Sequence, residues 1–502
     1  MGINLARYTD GVLDTADNST PIQATRNSSG TVTGITAATR DVVADLGLGS
    51  SGASTATTVS TLVALRKAGT LVSGTIYATE NGWTYKATSS THFLALNGAP
   101  LLAYGLYTGI GDSIMANQNI GGVSNTMSII NWYSSQIDSP LDMVANRGVG
   151  GYALATINST QVAATVADAS EIVWLHGGVN NLRYGYATAT SIEQAAIDLK
   201  VILDALSPVK QAIVVDSVTP WLWGPNATDG YRSLEIPALN NLMKGLCARY
   251  PNVIWNDIYP AILNTASSLS DPDTTCLLDS LIHPNSKGAA LLGFQSALNL
   301  AGKLYIVPAY SITSTVSLPT FTGTTGTATP GTGTITGSAP DSVAVAVSSG
   351  PAAVTLAAKT YTSTLTGLNV IATNAGAASF IGISLNAAGL ATALAVFVAG
   401  DKVRFTATIR VKSGVLLARV FSYLLINGSI VIANFTVVPA IETPNLMALG
   451  SKSWTAKTRT PVYTIPAGMT AINPTVGVQI GASTGAVDFD LIDWKIEKLI
   501  AL

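Results

Sequence analysis

From about Leu101 to Tyr305, short apolar runs alternate with amphipathic stretches, and this rhythm restricts the fold more than any other feature of the chain. The runs Leu102–Leu106, Met143–Asn146, Ile172–Leu175, Ala212–Asp216 and Val253–Trp255 have the length and residue types of strands. Between them lie helical patterns. The clearest is Ile192–Leu206, with Ile192, Ala195, Leu199, Ile202 and Leu206 on one face; Thr190 and Glu193 suggest a capping box, and Pro208 follows. Strand-helix alternation predicts right-handed crossovers and a parallel sheet covered on both faces. In such sheets ligands bind beyond the carboxyl ends of the strands. Residues just after each strand are therefore the first to search for chemistry.

The flanks have other patterns. The chain has 502 residues, enough for several domains. Residues 1–100 are rich in Ser, Thr, Gly and Ala and read as a small α+β or irregular region. Gly47 to Ser60 reads as a linker, Thr61 to Ala68 as a brief helix, and Gly74 to Lys86 as a hairpin turning at Glu80-Asn81-Gly82. Residues 307–339 are Thr/Gly/Ser/Pro-rich and read as a linker or irregular β-segment. Residues 340–502 predict an antiparallel β-sandwich. Val403, Phe405, Ala407, Ile409 and Val411 alternate with polar residues, and Asn427-Gly428 separates two apolar runs as a hairpin turn does. Val487, Phe489 and Leu491 alternate, then the phase slips to Ile492, Trp494 and Ile496, which a β-bulge explains.

Composition narrows the partners. Charged residues make up 11 % of the chain and the formal net charge is −2, so no basic surface for nucleic acid or anionic lipid is indicated. No apolar run approaches the roughly 20 residues a membrane helix needs. The start, MGINLARYTDG, lacks the pattern of a secretory signal, which leads us to expect either a cut mature start or release by virion assembly and lysis. Cys247 and Cys276 form no CxxC pair; a disulfide and two buried thiols are both open. His92, His176 and His283 are too scattered for a zinc cluster.

Four blocks at strand ends carry candidate chemistry. Gly111-Asp112-Ser113 follows the first strand and places a serine at the crevice. Asn146-Arg147-Gly148-Val149-Gly150-Gly151 follows the second, where glycines allow backbone N–H groups close to a ligand. His176-Gly177-Gly178-Val179-Asn180-Asn181 follows the third, and Asn180 offers an amide N–H₂. Asp279-Ser280-Leu281-Ile282-His283-Pro284-Asn285 follows the last, placing His283 on the same rim. The first three blocks taken singly also read as turns, and a lone histidine also reads as a packed or solvated residue.

In order and spacing the four together resemble the SGNH, or GDSL-type, hydrolase family over roughly residues 101–306. The resemblance implies a flavodoxin-like three-layer α/β domain and a serine ester hydrolase without metal or organic cofactor. It assigns Ser113 as nucleophile, His283 as base, Asp279 as the acid, and Ser113 N–H, Gly151 N–H and the Asn180 side chain as the oxyanion hole. Two positions depart from the family pattern. Asn181 stands where the family has Asp. Asp279 lies four residues before His283 rather than three, and Ser280 holds the usual place. Either the loop bulges to let Asp279 reach, or Ser280 or a carbonyl orients the ring, or Asp271 or Asp273 substitutes.

Trp221, Trp223 and Tyr184 follow strands and are candidates for a wall on which a sugar ring stacks. The last segment, AVDFDLIDWKIEKL, is similar to the final strand of carbohydrate-binding jelly rolls, and the N-terminal composition is similar to that of phage tail fibres or tailspikes. These likenesses lead us to expect a homotrimeric, tail-borne esterase that deacetylates a bacterial surface polysaccharide and docks to other tail proteins. A free bacterial esterase, secreted or cytoplasmic, and a glycan-binding adhesin with an inactive hydrolase fold are the competing expectations.

Overall fold

In the computed structural model the described residues are 54–116, 128–184, 189–221, 231–265, 271–277, 282–317, 321–361, 366–376, 378–414, 417–427, 429–435, 454–481 and 484–501, with four short strands before residue 50. The chain divides into two compact units, Met1–Ala99 and Pro100–Leu502.

In the first unit, the strands Tyr8–Thr9, Val12–Leu13, Ile22–Arg26 and Val32–Ile35 form one sheet. A second sheet joins Thr55–Thr57, Ile76–Thr79, Thr84–Ala87 and Phe93–Leu96. The hairpin turns at Gly82, whose φ of 76° suits a residue without a Cβ. Helix Val59–Lys67 starts at Thr58, whose hydroxyl accepts from Thr61 N–H. The expected linker at 47–60 therefore ends in a strand and the first helical turn.

The second unit contains the parallel sheet. Its strands are β1 (Leu106–Gly111), β2 (Asp142–Asn146), β3 (Ile172–His176), β4 (Ala212–Asp216) and β5 (Val253–Asn256), in the order β2-β1-β3-β4-β5. This is the flavodoxin-like order, whose switch point lies between β1 and β3. Alternate residues face opposite layers. Val173, Leu175, Ile213 and Val215 pack with helices Ala189–Leu206 and Tyr231–Cys247. Tyr107, Trp174, Val214 and Ile254 pack with helices Ile129–Gln136 and Ser286–Leu300.

Two sequence expectations need correction here. The first strand is not Leu102–Leu106: the chain breaks at Gly105, and Leu101–Tyr104 pairs with Leu304–Val307 in a separate two-stranded sheet. A Cβ at Gly105 would sit 2.2 Å from the Pro140 carbonyl oxygen, so the crossing requires glycine. Helix Ala189–Leu206 contains Thr190 within its first turn, so Thr190 is not its N-cap.

Residues 310–501 form two further sheets around one apolar core. Their pairings are antiparallel except two short ones, Thr327–Thr329 with Val343–Ser349 and Thr334–Thr336 with Ala353–Thr360. Much of the expected 307–339 linker therefore belongs to these sheets: Tyr310–Ser317 also pairs with Thr484–Ala501. In Lys402–Gly414 the alternate residues Val403 to Val411 are buried, as the pattern requires. Ile426 faces Ser429 across the Asn427-Gly428 turn, although Gly428 itself lies outside the described residues. The phase slip is a bulge: Thr408 faces Asp493 while Ile409 faces Leu491, leaving Ile492 unpaired.

This β-region is fastened to the parallel-sheet domain by arginines. Helix Ile129–Gln136 ends with carbonyl groups that have no intrahelical donor. Arg459 donates to the carbonyl oxygens of Ser134, Ile137 and Asp138 at 2.7–2.9 Å. Arg404 donates to Asp142 at the start of β2. Among the described residues no helix is long and apolar enough to cross a membrane. Cys247 and Cys276 are both free buried thiols.

Candidate active site

β1 is flanked by β2 and β3: Gly109 pairs with Asn146, and Gly111 with His176. The loops leaving these three strands therefore lie side by side. Ser113 begins a short helix, Ser113–Ala116, directly after β1. Asp112 holds the start of that helix, accepting from Ile114 N–H at 2.9 Å. Gln161 clamps the end of β1, accepting from Gly111 N–H at 2.7 Å and donating to its carbonyl at 2.9 Å. The approach is tight: a Cβ at Gly111, whose φ is 152°, would lie 2.0 Å from the His176 carbonyl oxygen.

His283 meets this serine from the far end of the domain. Its Nε2 lies 2.8 Å from Ser113 Oγ. Both side chains are partly exposed. The position of His283 is set by Asn285, two residues on. Asn285 caps helix Ser286–Leu300 by accepting from Gly288 N–H, donates its amide to the carbonyls of Thr275 and Leu277, and donates its backbone N–H to Cys276.

The glycine-rich turn after β2 packs beside the serine. Val149 to Tyr152 form a turn closed by Tyr152 N–H to the Val149 carbonyl at 3.4 Å, with Gly151 at φ 82°. Gly150 packs against the nucleophile, since a Cβ there would lie 3.7 Å from Ser113 Cβ. Gly151, selected from the sequence, lies in the same turn one residue further on. Asn180, 1 % exposed, donates one amide N–H to the Tyr152 carbonyl at 3.1 Å, leaving the other for a ligand. Asn181 accepts from Leu154 N–H at 3.0 Å, where helix Leu154–Ile157 has no cap of its own. That bond needs only an acceptor oxygen, so Asn serves there as Asp would.

Of the candidate acids, Asp279 and Ser280 lie outside the described residues. Asp273 is otherwise engaged: it caps a 3₁₀ turn through Thr275 and bonds Lys287 at 3.2 Å, which together hold its carboxyl below the usual range despite burial. Its partners are thus Thr275 and Lys287. Of the expected sugar wall, Trp221 is 3 % exposed and belongs to the core around Ile236 and Leu239, so it presents no surface. Its position right after β4 looked open in sequence, but helix Tyr231–Cys247 covers it. Trp223 lies outside the described residues. Tyr184 ends helix Val179–Tyr184, and its side chain lies outside what is described.

A buried polar cluster at the ends of β3, β4 and β5 had no sequence signal beyond single polar letters in apolar strands. His176, 1 % exposed, places Nδ1 3.3 Å from Asp216 Oδ2. Asp216 also accepts from Trp174 Nε1 at 2.9 Å and from Asn256 at 2.7 Å. Burial works against protonation of His176, but the bond to Asp216 and the charges of Asp112 and Asp216 outweigh it and raise its pKa. Burial raises the Asp112 carboxyl, and His176, the Ile114 N–H and His283 offset this in part.

A family model described as the GDSL-like Lipase/Acylhydrolase family matches residues 110–291. Solved structures resemble the chain more distantly. A variant of an acetylxylan esterase from Geobacillus stearothermophilus is 15 % identical, with 41 % of this chain and 98 % of that one covered and a TM-score of 0.32. An α/β hydrolase from the metagenome of Lake Arreo, Spain, is 18 % identical over 40 % of this chain and 97 % of that one, with a TM-score of 0.32. No curated protein sequence matches the chain. Motif order, sheet order and family match coincide on the same segment: residues 110–291 are a hydrolase domain of the GDSL, or SGNH, family.

Proposed function

We propose that this domain is a serine esterase with Ser113 as nucleophile and His283 as general base. The observation that carries the reading is the 2.8 Å contact between Ser113 Oγ and His283 Nε2 beside unused N–H donors. His283 takes the Ser113 proton as the oxygen attacks an ester carbonyl. The developing oxyanion is held by the N–H of Ser113, an N–H of the Gly150-Gly151 turn and the free amide N–H of Asn180. The alcohol departs with the proton returned by His283. Water, activated by the same imidazole, then releases the acid. Asp279 is assigned to orient His283.

The test is turnover of a chromogenic acetate ester by the intact chain. Ser113→Ala abolishes it with the thermal midpoint unchanged; retained turnover excludes Ser113. Asp279→Asn lowers it by more than about tenfold, because a misoriented base typically costs far more than that. A smaller loss, together with a large one for Ser280→Ala, moves the orienting role to Ser280.

The finer reading is a carbohydrate O-acetylesterase carried on a phage tail, acting outside the cell on an acetylated bacterial polysaccharide as a homotrimer. It is supported by the low charge, the Ser/Thr/Gly-rich first hundred residues and the lack of a long apolar lid segment in the sequence. Acetate release from a panel of host capsules and O-antigens tests the substrate, and no release from any of them returns the adhesin reading. Light scattering tests the assembly, and a stable monomer rejects the trimer.

A further inference from the structure

At the opposite end of β2 from the serine, a cleft of about 150 Å³ opens where the hydrolase domain meets the β-region. Asn131 and Asp142 line it from the hydrolase side, and Tyr310, Arg404 and Arg459 from the other. A buried water needs roughly 10–15 Å³ of such volume, so this space has room for one small ring rather than a single solvent molecule. The five residues of β2 put it about 13 Å along the strand from the catalytic rim.

The walls are donor-rich. Arg404 is 2 % exposed, yet among the described residues its guanidinium has one hydrogen-bond partner, Asp142. A guanidinium carries five N–H donors in a planar fork. Among the described residues no acceptor stands against Nε or Nη1 of Arg404. The Tyr310 ring lines the same cleft, and both amide atoms of Asn131 and Oδ2 of Asp142 are buried without a partner among the described residues. The charged lining groups are Arg404, Arg459 and Asp142, a net charge of one positive unit.

We propose that this cleft is a second, non-catalytic binding site that takes the carboxylate of a single sugar acid, a uronate ring, on the free edge of the Arg404 guanidinium. The planar fork matches a carboxylate, the net charge matches one anion, and Tyr310 and Asn131 supply polar partners for ring hydroxyls. A site here engages an acidic polysaccharide at a distance from the reacting ester and adds to its affinity through linkage along one chain. Uronate binding here does not depend on the catalytic reading, because none of these residues belongs to the serine site; only the gain in affinity for an ester-bearing chain rests on that reading.

The experiment is calorimetric titration of the intact chain with glucuronate and, as the uncharged ring of the same shape, glucose, at low salt. Saturable binding of glucuronate with at least tenfold preference over glucose is expected. Arg404→Lys keeps the charge opposite Asp142 and loses the fork, so it lowers glucuronate affinity at least tenfold while the thermal midpoint stays close to that of the parent. Tyr310→Phe lowers affinity severalfold. Ser113→Ala binds glucuronate unchanged, whatever its effect on ester turnover. Equal binding of both sugars, no saturable binding, or glucuronate binding indifferent to both Arg404→Lys and Tyr310→Phe overturns the proposal.

Discussion

Asp168 and Asp112 are both shielded carboxylates of the hydrolase domain, and their surroundings are built on opposite plans. Asp168 accepts from Thr108 Oγ1 at 2.8 Å, Arg147 at 3.1 Å, Lys210 at 3.1 Å, and the N–H and hydroxyl of Ser170. Burial would raise its pKa, but these bonds prevail and hold it at about 2. Its partners come from β1, the loop after β2 and the turns before β3 and β4, so one carboxylate ties the strands together. Asp112 has Oδ1 engaged by Ile114 N–H, while its Oδ2 is buried with no partner. The Nε2 of His176, which faces it electrostatically, is likewise unpartnered. A satisfied cluster stabilises the fold, whereas an unsatisfied buried carboxyl beside the nucleophile costs stability.

This contrast can be broken by substitution, beginning with the largest effect. Ser113→Ala lowers kcat/KM for a small acetate ester by about 10⁴ or more and leaves denaturant unfolding unchanged. Lys210→Met does the reverse: unfolding free energy falls by about 3–5 kcal/mol, because Asp168 loses a buried countercharge, while turnover per folded molecule is kept. If Lys210→Met leaves the denaturation midpoint in place, the cluster is not structural. Asn180→Ala, which removes one oxyanion donor, costs about 10²–10³ in kcat with little change in KM. A loss confined to KM moves Asn180 to substrate binding.

The two carboxylates also predict opposite pH behaviour. The depressed Asp168 contributes stability that is present above about pH 4 and is lost as pH falls towards about 2, so Asp168→Asn lowers the neutral thermal midpoint and flattens that acid limb. The raised Asp112 binds its proton more tightly in the folded chain, so it penalises the fold once pH rises through its folded pKa. Asp112→Asn therefore raises the neutral midpoint and slows turnover severalfold, a gain of stability at a loss of activity. A fall in both quantities contradicts the reading of Asp112. His176, with its raised pKa, contributes stability that is full below about pH 6.5 and is lost as pH rises through its folded value. The smallest effect is expected from Asn181→Asp, since either residue accepts from Leu154 N–H; kcat/KM should change by less than about threefold.

Much of this architecture was legible in the letters, for identifiable reasons. Strands β2 to β5 sit on the apolar runs, because strands buried on both faces read as continuous Val/Ile/Leu segments. The bulge at Ile492 was visible because period-two burial cannot change phase without an extra residue. Ser113 and His283 were reachable because strand-end position, rather than residue type, marks a crevice. What stayed hidden depended on contacts between distant segments. Gly105 breaks a strand only because Pro140 passes beside it. The Thr-rich stretch after Val307 pairs with the far carboxyl-terminal strand, and no local pattern announces such a partner. Trp221 reads as a loop aromatic until a helix some ten residues later covers it. Asp273 reads as a free acid until Lys287 and Thr275 engage it.

The most direct test of the central claim is active-site labelling with a fluorophosphonate, followed by peptide mass spectrometry. The account predicts one adduct per chain, on Ser113, formed in step with loss of ester turnover and at least a hundredfold more slowly in His283→Ala. An adduct on another residue, or equal labelling rates with and without His283, would contradict it.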